Sequence, residues 1–180
     1  MSHVSGKRLL HVIGSTVSAL ELAGRWDVEQ ERACMAGLLH DVGRNIPPDA
    51  IKAYLEARGE DIPGVDRDFP NIWHGLYAAA VLRHELGIDD PEMRDALVWH
   101  STAAPVMTTL QKIVFISDSI EPTRVFPGAG EIRRLADIDL DKALAWTLES
   151  KYNHLKINNT AIHSRLVQAR IYYCGDNVSE

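Results

Sequence analysis

Cysteine is almost missing from this 180-residue chain. There are two, Cys34 and Cys174, far apart and in no CxxC arrangement. That removes a disulfide-stapled secreted domain and a thiolate metal site from the expected classes. Long apolar runs are also missing, since roughly 20 residues are needed to cross a bilayer. The segment from Leu9 to Ala23 is apolar but broken by His11, Ser15, Thr16, Ser18 and Glu21. The start, Met-Ser-His-Val-Ser-Gly-Lys-Arg, has no signal-peptide core directly after it. Positive charge is in deficit, with Lys+Arg 19 against Asp+Glu 25 and a net charge of −6. A general nucleic-acid binder needs a basic face for its phosphate contacts. The expectation is therefore a cytoplasmic protein with no nucleic-acid partner and no membrane partner. A local basic pocket for a small phosphate ligand remains compatible with this balance.

What is present is an ordinary globular composition, 46% hydrophobic and 24% charged, which excludes wholesale disorder. The length suits a single domain over 1–180, with a core at about 8–173. Eight histidines are the feature that needs an explanation.

The chain reads as helices with short punctuation, and no segment shows clean period-two alternation. Lys7 to Arg25 carries apolar residues at Leu9, Ile13, Leu20 and Ala23, with Leu10 and Val17 on a second face. That breadth predicts a central helix buried on most sides. Glu29 to Asp41 follows, with acidic residues in its first turn and Gly43 permitting a stop. Pro47-Pro48-Asp49 opens a short helix to about Arg58. The stretch 59–70 is rich in Gly, Pro and Asp and reads as a loop. His74 to Leu86 is helical, and Asp90-Pro91 starts a helix that runs to about His100. Thr108 to Ile120 is the next helix. Its Ile113-Val114-Phe115-Ile116 could be a buried strand alone, but Leu110 and Ile120 extend a helical pattern. Glu131 to Ala136, Asp139 to Ile157 and Thr160 to Tyr173 complete an all-α reading.

The pair His40-Asp41 sits at a helix C-terminus. Neighbouring side chains on a helix are roughly 100° apart, so both can lean toward one point. Imidazole nitrogen with carboxylate oxygen is a borderline ligand set suited to iron, manganese or zinc. Other candidates stand at helix positions that could converge on it. His11 lies on the first helix. Asp118 shares a face with Leu110 and Val114, where a carboxylate is costly to bury unless paired or bound to a cation. His74 opens one helix and His100 closes the next.

The order His11, His40-Asp41, His74, His100, Asp118 resembles the HD superfamily of metal-dependent phosphohydrolases, whose signature is H…HD…D. The additional His74 and His100 resemble the subset that binds two metals. Ala36-Gly37-Leu38-Leu39-His40-Asp41, His74-Gly75, His100-Ser101-Thr102, Lys112-Ile113, Asp118 to Arg124 and Phe126-Pro127-Gly128 narrow the match to the YqeK-type members. So do Asp139 to Ala143, Ile162-His163 and Ala169-Arg170. Members of this type are symmetrical bis(5'-nucleosyl)-tetraphosphatases that split diadenosine tetraphosphate into two ADP at a di-iron centre.

The resemblance implies an HD-domain helical bundle and a hydrolase of phosphoanhydride bonds. His11, His40, Asp41 and Asp118 would hold a first metal. His74 and His100, with Asp41 as bridge, would hold a second. Iron is the expected metal, with manganese, zinc, cobalt and magnesium as alternatives. Two cations can share a hydroxide, orient it at phosphorus and neutralise phosphoryl charge. Asp41 and Arg44 are the candidate catalytic residues. Arg44, Thr102, Lys112 and Arg124 are the candidate phosphate contacts. Arg44 could equally be a helix-end charge, and Glu121 either orients a ligand histidine or ends a helix in solvent. The chain departs from the family at Ala103-Ala104, where Gly and Arg are common.

The remaining histidines have plainer expectations. His3 belongs to the terminus, His84 to the surface and His154 to a solvated helix face. His163 is a helix-start or packing residue, or else a substrate contact. Trp26, Trp99 and Trp146 read as core or edge aromatics, and Trp73 either packs or lines a nucleotide pocket. A second enzymatic reading keeps the fold and takes mononucleotides or cyclic nucleotides as substrate. A third is a nucleotide-binding regulatory module with little catalysis. A homodimer is compatible with any of them.

Overall fold

The computed structural model describes residues 6–175, so His3 lies outside the described residues. Every regular element among them is helical: α1 (Gly6–Arg25), α2 (Gln30–Leu39), α3 (Pro48–Glu56), α4 (Trp73–His84), α5 (Pro91–Trp99), α6 (Thr109–Ile120), α7 (Ala129–Ala136), α8 (Leu140–Ile157) and α9 (Ser164–Cys174). The stretch 59–70 holds one 3₁₀ turn, Gly64–Asp66, and a second, Pro70–Ile72, leads into α4.

The middle of the bundle is α6. It packs against α1, α2, α5, α7 and α8. Leu110, Ile113, Val114, Phe115, Ile116 and Ile120 on it are all buried. Burial on several sides explains why Ile113 to Ile116 looks like a strand in isolation: a helix enclosed all round loses its polar stripe. A capping box sets its start, with Thr108 accepting from the Gln111 main chain and Gln111 accepting from that of Thr108. Asp90 caps α5 and Asp139 caps α8 in the same way. Arg32 ties α2 to α5 by reaching both Asp90 and Glu92.

Two expectations change here. The first helix is not the buried centre. Its inner face is made of small and polar residues, including His11, Ser15, Thr16, Ser18 and Ala19. Leu9, Leu10, Ile13 and Val17 stay exposed on the outer face. Apolar breadth in the sequence reflects two different surfaces, only one of which the chain itself covers. The last helix also begins at Ser164 rather than Thr160. Asn159 takes a left-handed φ of 49° at the end of α8, and His163 then caps α9 by accepting from the Arg165 main-chain N–H at 3.1 Å.

Two glycines let helices approach closely enough to assemble the ligand cluster. A Cβ on Gly37 would lie 2.9 Å from the Thr16 Cα, so α2 can press against α1 beside His40 only without a side chain there. A Cβ on Gly75 would lie 2.6 Å from the Leu97 carbonyl oxygen. That contact closes α4 on α5 and sets His74 against His100.

Candidate metal centre

Five elements each contribute a polar side chain to one buried point. His11 comes from α1, His40 and Asp41 from the turn after α2, His74 from the start of α4, His100 from the end of α5, and Asp118 from the last turns of α6. His11, His40, His74 and His100 are each no more than 8% exposed. Their ligand atoms form two groups, His11, His40 and Asp118 in one, Asp41, His74 and His100 in the other. Within each group they lie within 4.8 Å of one another.

Asp41 faces both groups. Its Oδ2 is 3.6 Å from His11 Nε2 and 3.8 Å from His40 Nε2. Its Oδ1 is 3.5 Å from His74 Nε2 and 4.0 Å from His100 Nε2. The Arg8 guanidinium donates to Asp41 from the rim.

Main-chain carbonyls fix the ring orientations. Nδ1 of His40 donates to Gly37 O at 2.7 Å, Nδ1 of His74 to Asn71 O at 3.0 Å, and Nδ1 of His100 to Leu97 O at 2.7 Å. With the proton on Nδ1, each Nε2 turns a lone pair toward the cluster, as a metal ligand must. His74 Nε2 and His100 Nε2 stand only 3.0 Å apart. The Ser101 hydroxyl lies 3.1 Å from His100 Nε2 and 3.3 Å from His74 Nε2. Burial holds the His74 pKa down to about 2, helped by His100 and Arg44. Burial, with His40, holds that of His100 down to about 4.

His11 differs, because both of its nitrogens face carboxylates. Nε2 is 3.1 Å from Asp118 Oδ1 and Nδ1 is 3.2 Å from Glu121 Oε1. The bond to Asp118 outweighs burial and raises its pKa. Burial of Asp118 opposes ionisation, yet the same bond and nearby cations keep its carboxyl well below the usual range. The buried donor set is therefore imidazole nitrogens and carboxylate oxygens with no thiolate. That donor chemistry fits a divalent metal.

A cleft of about 340 Å³ opens on the cluster, lined by Asp41, His100 and Asp118 together with Arg8, Arg44, Arg124 and Lys151. A chain of net charge −6 thus gathers four cationic side chains around one small opening. Arg44 lies 3.2 Å from His74 Nε2, and Arg124 donates to Asp118 Oδ1 at 3.0 Å. Arg133 pins the segment that carries Arg124, donating to the main-chain oxygens of Ile120, Glu121 and Arg124. Thr102 is buried in the cleft wall, where its hydroxyl accepts from Arg165 at 3.4 Å.

Lys112 is not brought to this cleft. Its ammonium is 2.5 Å from Asp141 and lies over the Tyr173 ring. Six positions from Asp118 on a helix is about 240° of rotation, a different face. The expected phosphate contact at Lys112 is therefore withdrawn. Glu121 is 1% exposed, so it is no solvated helix end; it accepts from Thr123 and faces His11. Trp73 packs, donating to Asp66 O at 2.7 Å. His84 is at the surface beside Glu60. His163 does more than start a helix, because it is buried against Asp66 at 2.9 Å and also lines the cleft.

Sequence reasoning missed Arg8, Ser101, Lys151 and His154 as site residues. Lys151 and His154 sit three residues apart in α8, so a shared face was the available signal. His154 is exposed, as expected, and also lines the cleft, and Trp146 is half exposed, the edge aromatic of the two readings.

The family profile described as HD domain matches residues 8–123. A Bacillus subtilis (strain 168) protein named symmetrical bis(5'-nucleosyl)-tetraphosphatase is 31% identical over 155 residues, which cover 86% of this chain and 83% of that protein. A Staphylococcus aureus protein of the same name is 31% identical, over 93% of this chain and 87% of its own length. Among solved structures, a Clostridium acetobutylicum protein described as a predicted HD superfamily hydrolase involved in NAD metabolism superposes with a TM-score of 0.87. It is 32% identical, over 95% of this chain and 90% of that one.

Proposed function

The chain belongs to the HD domain family, and from that premise we propose that it hydrolyses dinucleoside tetraphosphates symmetrically, diadenosine tetraphosphate to two ADP, in a metal-dependent reaction. The names of its Bacillus and Staphylococcus relatives support this substrate class. The observation that carries it is the inward-facing set of imidazole nitrogens and carboxylate oxygens beneath a cleft rimmed by arginine and lysine.

In this reading His11, His40 and Asp118 would hold one metal ion, His74 and His100 would hold a second, and Asp41 would be shared between them. When bound, such ions supply an activated water at neutral pH and offset charge on the phosphoryl oxygens. The protein's own part is positioning and charge. Glu121 and the carbonyls of Gly37, Asn71 and Leu97 hold the four imidazoles in one orientation each. Arg44 grips the attacked phosphoryl group from beside His74, and Arg124 approaches it from beside Asp118. Guanidinium groups suit this task because they offer paired donors in a fixed plane. Thr102 adds a hydroxyl contact from the cleft wall.

Water attacks an inner phosphorus. Its oxygen forms the new P–O bond and its protons pass to solvent, the central anhydride bond breaks, and that bond's electron pair leaves with the second nucleoside diphosphate. A nucleoside diphosphate leaves well as an anion, so no side chain has to protonate it.

Iron is proposed as the native metal, and nitrogen and oxygen donors also accept manganese, zinc, cobalt and magnesium. No helix among the described residues is long and apolar enough to cross a membrane. We place the protein in the cytoplasm, with a nucleotide as its ligand and no nucleic-acid partner. It pairs as a homodimer through the bare outer face of α1. Chromatography of the products from diadenosine tetraphosphate tests the activity. ADP alone supports it; AMP with ATP, or no turnover across these metals, refutes it.

A further inference from the structure

A second cavity adjoins the first. It measures about 650 Å³ and shares Asp118, Arg124, Lys151 and His154 with the cleft over the cluster. Beyond that shared wall the two differ. The smaller one reaches Asp41 and His100 and contains Phe69 and His163, whose rings stand 4.6 Å apart. The larger one contains no member of the ligand cluster except Asp118. Its far end is formed by Phe126, Pro127 and Trp146.

That far end is apolar and bare. Trp146 is 50% exposed. The turn Phe126-Pro127-Gly128 holds its shape through a φ of +95° at Gly128, a conformation that favours glycine. A Cβ added there would come 3.7 Å from the Trp146 ring, so the turn and the indole lie side by side. Large aromatics left open beside cationic side chains form a usual platform for a nucleobase. At the near end, the Lys151 ammonium makes no ion pair with any carboxylate among the described residues and lies 5.1 Å over the Phe115 ring.

We propose that the larger cavity is a second nucleotide subsite, in which Trp146 stacks on the base of the leaving nucleoside diphosphate while Lys151 and Arg124 face its phosphates. The ligand class rests on the tetraphosphatase reading. A symmetrical cut leaves equal halves on the two sides of the broken bond. The half that is attacked must lie over the ligand cluster, which the smaller cavity reaches. The other half must extend past Asp118, and the larger cavity is the space that continues there. Both cavities fall in the size range of small-molecule sites, about 300–1,000 Å³.

The test uses metal-loaded protein and two readouts. Calorimetric titration with ADP should give two ADP per chain for the native protein and one for Trp146→Ala. Kinetically, Trp146→Ala should raise KM for diadenosine tetraphosphate about tenfold with kcat within about twofold of native. KM for adenosine 5'-tetraphosphate, which has no second nucleoside, should not move, and Trp146→Phe should restore most of the loss. One ADP per chain in the native protein would overturn the proposal, and so would equal KM changes for both substrates. Two ADP bound without any cleavage of diadenosine tetraphosphate would refute the tetraphosphatase reading and leave the paired nucleotide sites standing.

Discussion

Nε2 of His74 and Nε2 of His100 stand 3.0 Å apart, and each ring has already given its Nδ1 proton to a main-chain carbonyl. Two lone pairs therefore face each other in a buried place, an arrangement that needs a donor or a cation between them. Ser101 reaches both atoms with its one proton and Arg44 stands 3.2 Å from His74 Nε2, two donors whose place a bound cation would take. His74→Ala should accordingly lower bound metal from two ions toward one per chain and abolish turnover. Elemental analysis of the purified variant reads the first effect. An unchanged metal content would remove His74 from the ligand set.

Ala103 takes a left-handed φ of 57° while fully buried. That conformation costs a residue with a Cβ roughly 1–2 kcal/mol. Glycine gives back about 0.5–1 kcal/mol through its freedom in the unfolded chain. Ala103→Gly should therefore leave stability unchanged or raise it by up to about 1 kcal/mol. Urea unfolding measures this. A loss larger than about 1 kcal/mol would mean that the methyl group's packing outweighs the strain.

The outer face of α1 leaves Leu9, Leu10, Ile13 and Val17 exposed, with Leu38 and Val42 of the adjoining segment. Together these expose on the order of 500 Å² of apolar surface, at the upper end of what monomers leave bare. Two copies pairing antiparallel across Ile13 and Val17 would bury roughly twice that, near the lower bound of a specific interface. Ile13→Glu should convert a dimer to a monomer in analytical ultracentrifugation. A native protein that sediments as a monomer at tens of micromolar would contradict this pairing.

Cys174 has its thiol pKa pushed up to about 11, first by burial and then by Glu149. A folded pKa above the unfolded value near 9 means that the neutral thiol favours the fold below that pH. This contribution is lost as pH rises through about 11. Alkylation of Cys174 in the native protein should therefore stay slow at pH 9, where the unfolded chain reacts readily. Mass spectrometry of the labelled peptides reads both rates. Equal rates at pH 9 would contradict the shift.

Much of this molecule is legible from the residues alone, for physical reasons. Helix starts at Asp90, Thr108 and Asp139 are local events, decided by a side chain and the main chain three residues on. The cluster of His11, His40, Asp41, His74, His100 and Asp118 is readable because buried ionisable groups in such an order have few other uses. What depends on three-dimensional assembly is not readable in the same way. Apolar breadth in α1 cannot say which side the chain covers and which it leaves exposed. Lys112 lies close to Asp118 in sequence and on another face of the helix, whereas Lys151 lies far away and lines the same cleft. Trp146 reads equally as core or edge, and only the assembled structure shows it open beside the turn at Gly128.

The central claim is attack of water on an inner phosphorus of a symmetrical dinucleoside tetraphosphate. The most direct measurement is hydrolysis of diadenosine tetraphosphate by the metal-loaded protein in ¹⁸O-water, with mass analysis of the products. The account predicts ADP as the only nucleotide product, half of it carrying one ¹⁸O on the β-phosphate. Labelled AMP or ATP in place of ADP would contradict it.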